Sequence, residues 1–157
     1  MKKISKFFNF ISLVLAIGSF VLMLATDAIM FKESGVCLQV EGTKVIFGEK
    51  GRFADVKLAW SALAAFILLI IAILVLLLLV VLPYVKNKAY KKHANLLNFV
   101  AIITLVLAWV FIFLTKITFS AANSDLFDKF SLGTGWIIGG ILTIISAVIT
   151  FIPRLVK

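Results

Sequence analysis

The chain reads as an all-α integral membrane protein, a four-transmembrane-helix bundle with a small β-hairpin in the first outer loop. Three observations predict this. Four apolar runs, at about 7–31, 58–82, 94–115 and 132–152, take up most of the 157 residues, and about 20 apolar residues suffice to cross the hydrocarbon core. Hydrophobic residues make up 63% of the chain, which is more than a soluble domain of this length can hide from water. The charges are also segregated. All seven acidic residues fall at or near the loops after runs one and three, whereas the N-terminus, the central linker and the tail carry only positive charge. The spans leave no room for a separate soluble domain, so residues 1–157 form a single membrane domain.

Helix one follows Met-Lys-Lys-Ile-Ser-Lys. Such a start can open a secretory signal, but its apolar run is too long for one and Thr26-Asp27-Ala28 is a poor cleavage site. It is therefore expected to be retained as a span. The first outer loop contains two β-rich stretches, Val36 to Val40 and Lys44 to Phe47, on either side of Glu41-Gly42-Thr43, which predicts a hairpin over 36–47 with its turn at those three residues. Trp60 and Trp136 open helices two and four at the outer interface, and Tyr84 and Tyr90 lie at the inner one, the depth that suits a ring with one polar tip. Pro83 and Pro153 mark the inner ends of helices two and four. The second outer loop, from Lys116 to Ser131, has no strong strand signal.

Orientation follows from the basic residues. Lys2, Lys3, Lys6, Lys86, Lys88, Lys91, Lys92, Arg154 and Lys157 crowd the short segments on one side, the positive-inside pattern of a multi-pass protein of the plasma (inner) membrane with both termini cytoplasmic. This placement accounts for the net charge of +9 through topology and anionic lipid headgroups, and so argues against nucleic-acid binding.

Three helices show a face of small and hydroxylated residues at a helical spacing. They are Asn9, Ser12, Ala16, Ser19, Thr26 and Asp27 in helix one; Ala94, Asn98, Ala101, Thr104, Ala108 and Thr115 in helix three; and Gly135, Gly139, Thr143, Ser146 and Thr150 in helix four. Such residues let backbones approach closely. Gly135-x-x-x-Gly139 can mark a dimer face, but within a four-helix protein it points first to internal packing. From Phe66 to Leu82 helix two has only Ala72 as a small residue, so it is expected to be the most lipid-exposed helix, or to show a greasy face to another subunit. Asp27 is the only ionisable residue read inside a span. It and Lys116 project along the small-residue faces of their helices at the outer end, which predicts a structural ion pair, with Lys57 or the wet headgroup boundary as alternatives.

Chemistry-bearing patterns are sparse. Cys37 is the only cysteine and His93 the only histidine, so neither a disulfide framework nor a His/Cys metal set is expected. No Gly-rich phosphate loop, intramembrane carboxylate cluster or activated nucleophile is legible, and no cofactor is implied.

Gly42-Thr43-Lys44-Val45-Ile46-Phe47-Gly48 and Leu132-Gly133-Thr134-Gly135-Trp136 through Leu142 resemble stretches of small, uncharacterised four-helix membrane proteins of low-GC Gram-positive bacteria. The resemblance implies the four-helix plan and carries no activity or functional residue. In outline the plan is also similar to claudin-like proteins, but the paired cysteines and tryptophan signature of their first loop are missing here. The expected function is that of a non-enzymatic accessory, scaffold or assembly subunit in the lipid bilayer. Its partner would be another membrane protein or a further copy, bound through outer loops or an exposed helix face. A small transporter or channel, or a protective, immunity-type protein, is the alternative. Four-helix multidrug transporters share the span count but use a buried glutamate in helix one, and no span here contains glutamate.

Overall fold

The computed structural model describes residues 2–33, 36–50, 55–81, 84, 88–123 and 130–155. In chain order the elements are α1 (Lys2–Ala25), β1 (Asp27–Glu33), β2 (Val36–Glu41), α2 (Gly42–Phe47), α3 (Trp60–Val81), α4 (Lys88–Ala122), β3 (Ser131–Leu132) and α5 (Thr134–Leu155). Four helices are long and apolar enough to cross a membrane, over Lys6–Ala25, Trp60–Val81, His93–Ala122 and Thr134–Ile152. They form the predicted four-helix bundle. Pro83, Asp125 and Asp128 lie outside the described residues.

The helices form a ring in which α1 packs on α3 and α5, and α4 packs on α3 and α5. Successive spans reverse direction, so every neighbouring pair is antiparallel. Each helix buries a stripe that alternates steps of three and four residues: Asn9, Ser12, Ala16, Ser19 and Met23 in α1; Ala62, Ala65, Leu69, Ala72, Leu76 and Leu79 in α3; Ala101, Leu105, Ala108, Ile112, Thr115 and Phe119 in α4; Trp136, Gly139, Thr143, Ser146 and Thr150 in α5. A repeat averaging 3.5 residues is the seam of left-handed coiled packing. Opposite these stripes, Phe10, Val14, Ile71, Leu74, Leu78, Ile103, Leu107, Ile141 and Val148 are exposed, as a lipid-facing surface requires.

Helix two of the sequence, α3, shares with α4 the lowest buried share of the four spans, as expected of a lipid-exposed helix, but it does present a packing face. It has a fully developed buried stripe and packs on α4 more extensively than any other pair packs. Its seam is built from three alanines, Ala62, Ala65 and Ala72, and three leucines, Leu69, Leu76 and Leu79. Its remaining small seam residues, Ser61, Ala62 and Ala65, precede Phe66 and are all fully buried.

Helix one also ends earlier than predicted. It stops at Ala25, and residues 27–33 form a strand instead. Thr26 closes the helix: its Oγ1 donates to the Leu22 carbonyl at 2.6 Å and its N–H to the same oxygen at 3.1 Å. The apolar residues that follow are apolar because they lie under a cap, not because they cross lipid. Ala28 and Ile29 are fully buried and Phe31 nearly so.

The first loop region holds a hairpin, but not the one predicted over 36–47 with its turn at Glu41-Gly42-Thr43. Val36–Glu41 pairs antiparallel with β1, and Lys44 to Phe47, predicted as its second strand, belongs to the short helix α2, which also takes in the predicted turn residues Gly42 and Thr43. A bulge in β1 falls between Asp27 and Ile29. β3 adds a two-residue third strand, giving the order β2-β1-β3. At the ends, α4 extends at both termini beyond the predicted 94–115, and α5 runs to Leu155, past Pro153.

Candidate functional site

Two regions gather the polar groups: the seam between α1 and α5 inside the bundle, and the cap above the end of α1. Along the seam Ser12 Oγ lies 2.7 Å from Ser146 Oγ, 2.6 Å from Thr150 Oγ1 and 2.9 Å from the Ser146 carbonyl, while Ser146 Oγ donates back to the Ser12 carbonyl at 2.9 Å. Two turns further on, Ser19 Oγ donates to the Gly139 carbonyl at 2.8 Å and lies 2.7 Å from Thr143 Oγ1. A Cβ placed on Gly139 would meet Ser19 Oγ at 3.4 Å, and one placed on Gly135 would collide with the Thr26 side chain. Gly135, Gly139, Thr143 and Ser146 are thus brought together with Ser12 and Ser19. Ala16 is buried in the same stripe, and Ala101 and Ala108 are buried on α4.

The hydroxyls act as fasteners. Thr143 Oγ1 and Thr150 Oγ1 each lie 2.8 Å from the carbonyl four residues back, so each hydroxyl, with its one proton, donates either there or to its serine neighbour across the seam. A smaller cluster joins α3 to α4, where Ser61 Oγ lies 2.5 Å from Thr118 Oγ1 and 3.4 Å from Thr115 Oγ1. Among the described residues no ionisable side chain is buried. Asn9 Oδ1 and Asn98 Oδ1 are buried without a hydrogen-bond partner there.

The predicted pair of Asp27 and Lys116 is not among the ion pairs of the described residues. The physical reason is the early end of α1. Asp27 opens β1 and is half-buried there, while Lys116 stays on α4, exposed. Among the described residues Lys44 forms ion pairs, 3.1 Å from Glu49 and 3.8 Å from Glu41. The Glu49 hydrogen bond, then the Glu41 charge, raise the lysine above its ordinary range. At this exposed site solvent screens the gain.

Close backbone approaches latch the cap to the bundle. The fully buried Trp136 donates its indole N–H to the Met23 carbonyl at 3.1 Å, Gly42 N–H bonds the Thr26 carbonyl at 3.0 Å, and Gly133 N–H bonds the Ala28 carbonyl at 2.7 Å. A Cβ on Gly42 would collide with the Met23 carbonyl, and one on Gly133 with the Asp27 carbonyl. On the other flank Asn123, 2% exposed, clamps the chain before α3: Lys57 N–H donates to its Oδ1 at 2.9 Å, and its Nδ2 donates to the Lys57 carbonyl at 3.0 Å. Ala59 N–H bonds the Val45 carbonyl at 2.9 Å, tying α2 to the same place. Phe66 stacks on Phe20 and receives Phe47 edge-on beneath α2.

Trp136, Asn123 and Gly133 were not read from the sequence as cap residues. Trp136 looked like an interface aromatic, as Trp60 is in being exposed. The available signal was the excess length of run one, whose last residues are not needed to span the core. No family model, curated protein or solved structure matches the chain.

Proposed function

We propose that this is a non-enzymatic accessory or scaffold subunit of the plasma membrane, with both termini cytoplasmic and the cap outside as its working surface. The observation that carries the reading is the division of labour among polar groups. Inside the bundle, serine and threonine hydroxyls are engaged in fastening helix to helix. The cap is bonded to three helix ends yet leaves Cys37, Leu38, Gln39, Glu41 and Phe47 exposed. A rigid base under an exposed polypeptide surface suits docking. The basic termini and linker support this orientation.

Site-specific photo-crosslinking in native membranes tests this. A photoreactive residue at Leu38 or Phe47 on the cap should give a defined stoichiometric protein adduct, and one at Phe99 or Leu107 on the lipid face should not. Solute flux through the purified protein in vesicles, with no cap adduct, would replace this reading with the transporter one.

A further inference from the structure

The two edges of the cap sheet differ. β3 is two residues long, and a very short edge strand is a usual protection against edge pairing. β2, on the other edge, runs six residues. From Val36 to Val40 it contains no charge and no proline, and the sheet's bulge lies in β1 instead. Cys37, Leu38 and Gln39 are exposed.

The ladder fixes which backbone groups point outward. Ala28 and Met30 turn their carbonyls toward the β3 side, where Gly133 N–H and Ser131 Oγ donate to them. Alternate residues of β1, namely Ile29, Phe31 and Glu33, therefore face β2, where they pair with Val40, Leu38 and Val36. The N–H and C=O groups of Cys37 and Gln39 then point away from β1. Among the described residues no backbone bond reaches them from the open side.

We propose that β2 pairs antiparallel with β2 of a second copy, centred on Leu38, joining two three-stranded caps into one continuous sheet. The inference rests on the cap being the working surface and names what docks there. Two outward residues spaced by two are their own complement. With Leu38 at the two-fold, Cys37 of each copy lies opposite Gln39 of the other, and every outward N–H and C=O of that pair meets a partner. Charge agrees, because the two Glu41 carboxylates fall at opposite ends of the new ladder, roughly 20 Å apart. Anchoring by identical helices also holds both edges at one height above the bilayer, which favours a second copy over a free peptide.

Disulfide trapping in native membranes reads the register. In a Cys37→Ser background, Leu38→Cys should form a disulfide-linked dimer readily, since residues directly opposite approach to about 5 Å. Native Cys37, on the diagonal, should link more slowly, and Phe47→Cys with Cys37→Ser should not link. Two differently tagged copies give a second readout without cysteine chemistry. Leu38→Lys alone and Leu38→Glu alone should each lose co-purification, and the two expressed together should regain it. Gln39→Pro, which deletes one outward N–H and no ladder bond, should also lose it. Equal trapping at positions 38 and 47, or a Lys/Glu mixture no better than either alone, overturns the pairing. Capture of a different protein from position 38 overturns the second copy as occupant while leaving the scaffold reading intact. Solute flux with no cap adduct removes the scaffold reading itself.

Discussion

Gly42 shows how one residue decides the cap. The sequence suggests a turn glycine, but the backbone there needs no left-handed conformation; the positive φ belongs to Gly48, at 76°. What Gly42 supplies is the missing Cβ that lets α2 start against the Met23 carbonyl. Gly42→Ala should therefore destabilise the protein by about 1–3 kcal/mol, the usual cost of overpacking, measured as thermal unfolding in detergent. An unchanged midpoint would mean that the cap is not latched there. Asp27 gives the opposite expectation. It has no ion pair among the described residues, so Asp27→Asn should change stability by no more than about 0.5 kcal/mol. A larger loss would restore a pairing role for this carboxylate. The apolar run around it, Ala28, Ile29 and Phe31, is withdrawn from water by protein rather than by lipid, a distinction hydropathy does not make.

At the scale of the element, the four spans were legible because lipid imposes an apolar run of known length. The hydroxyl seam of α1 and α5 was legible too, since small and polar residues stand out against leucine at a helical spacing. The aliphatic seam of α3 was not. When nearly every position is apolar, the buried stripe differs from the lipid-facing one only in which residues are small, and Leu69, Leu76 and Leu79 look like their neighbours. The structure separates them: Leu76 is fully buried, while Leu77 is 45% exposed. Leu76→Ala should cost about 2–5 kcal/mol by opening a cavity in the bundle core, whereas Leu77→Ala should stay within about 0.5 kcal/mol. Similar losses from both would remove the heptad seam as the reason α3 packs. The strand β1 was hidden for a related reason. Its residues continue the apolar run of α1, and only tertiary bonds from Gly42, Gly133 and Trp136 turn the chain out of the helix, a context that local propensity does not contain.

For the whole molecule, the ring of antiparallel helices supports a cap that gathers residues from both loops on one side. Asn123 and Ser131 come from the second loop region, and the strands β1 and β2 from the first. Basic residues dominate the opposite end. The proposed docking role requires the cap to face outward. Cys37, the single cysteine, is exposed on β2 and reports on this directly. A membrane-impermeant thiol reagent applied to intact cells should label native Cys37, and should label Lys88→Cys in a Cys37→Ser background only after the membrane is opened. Labelling of position 88 in intact cells, with Cys37 silent until permeabilisation, would turn the molecule over and contradict the account.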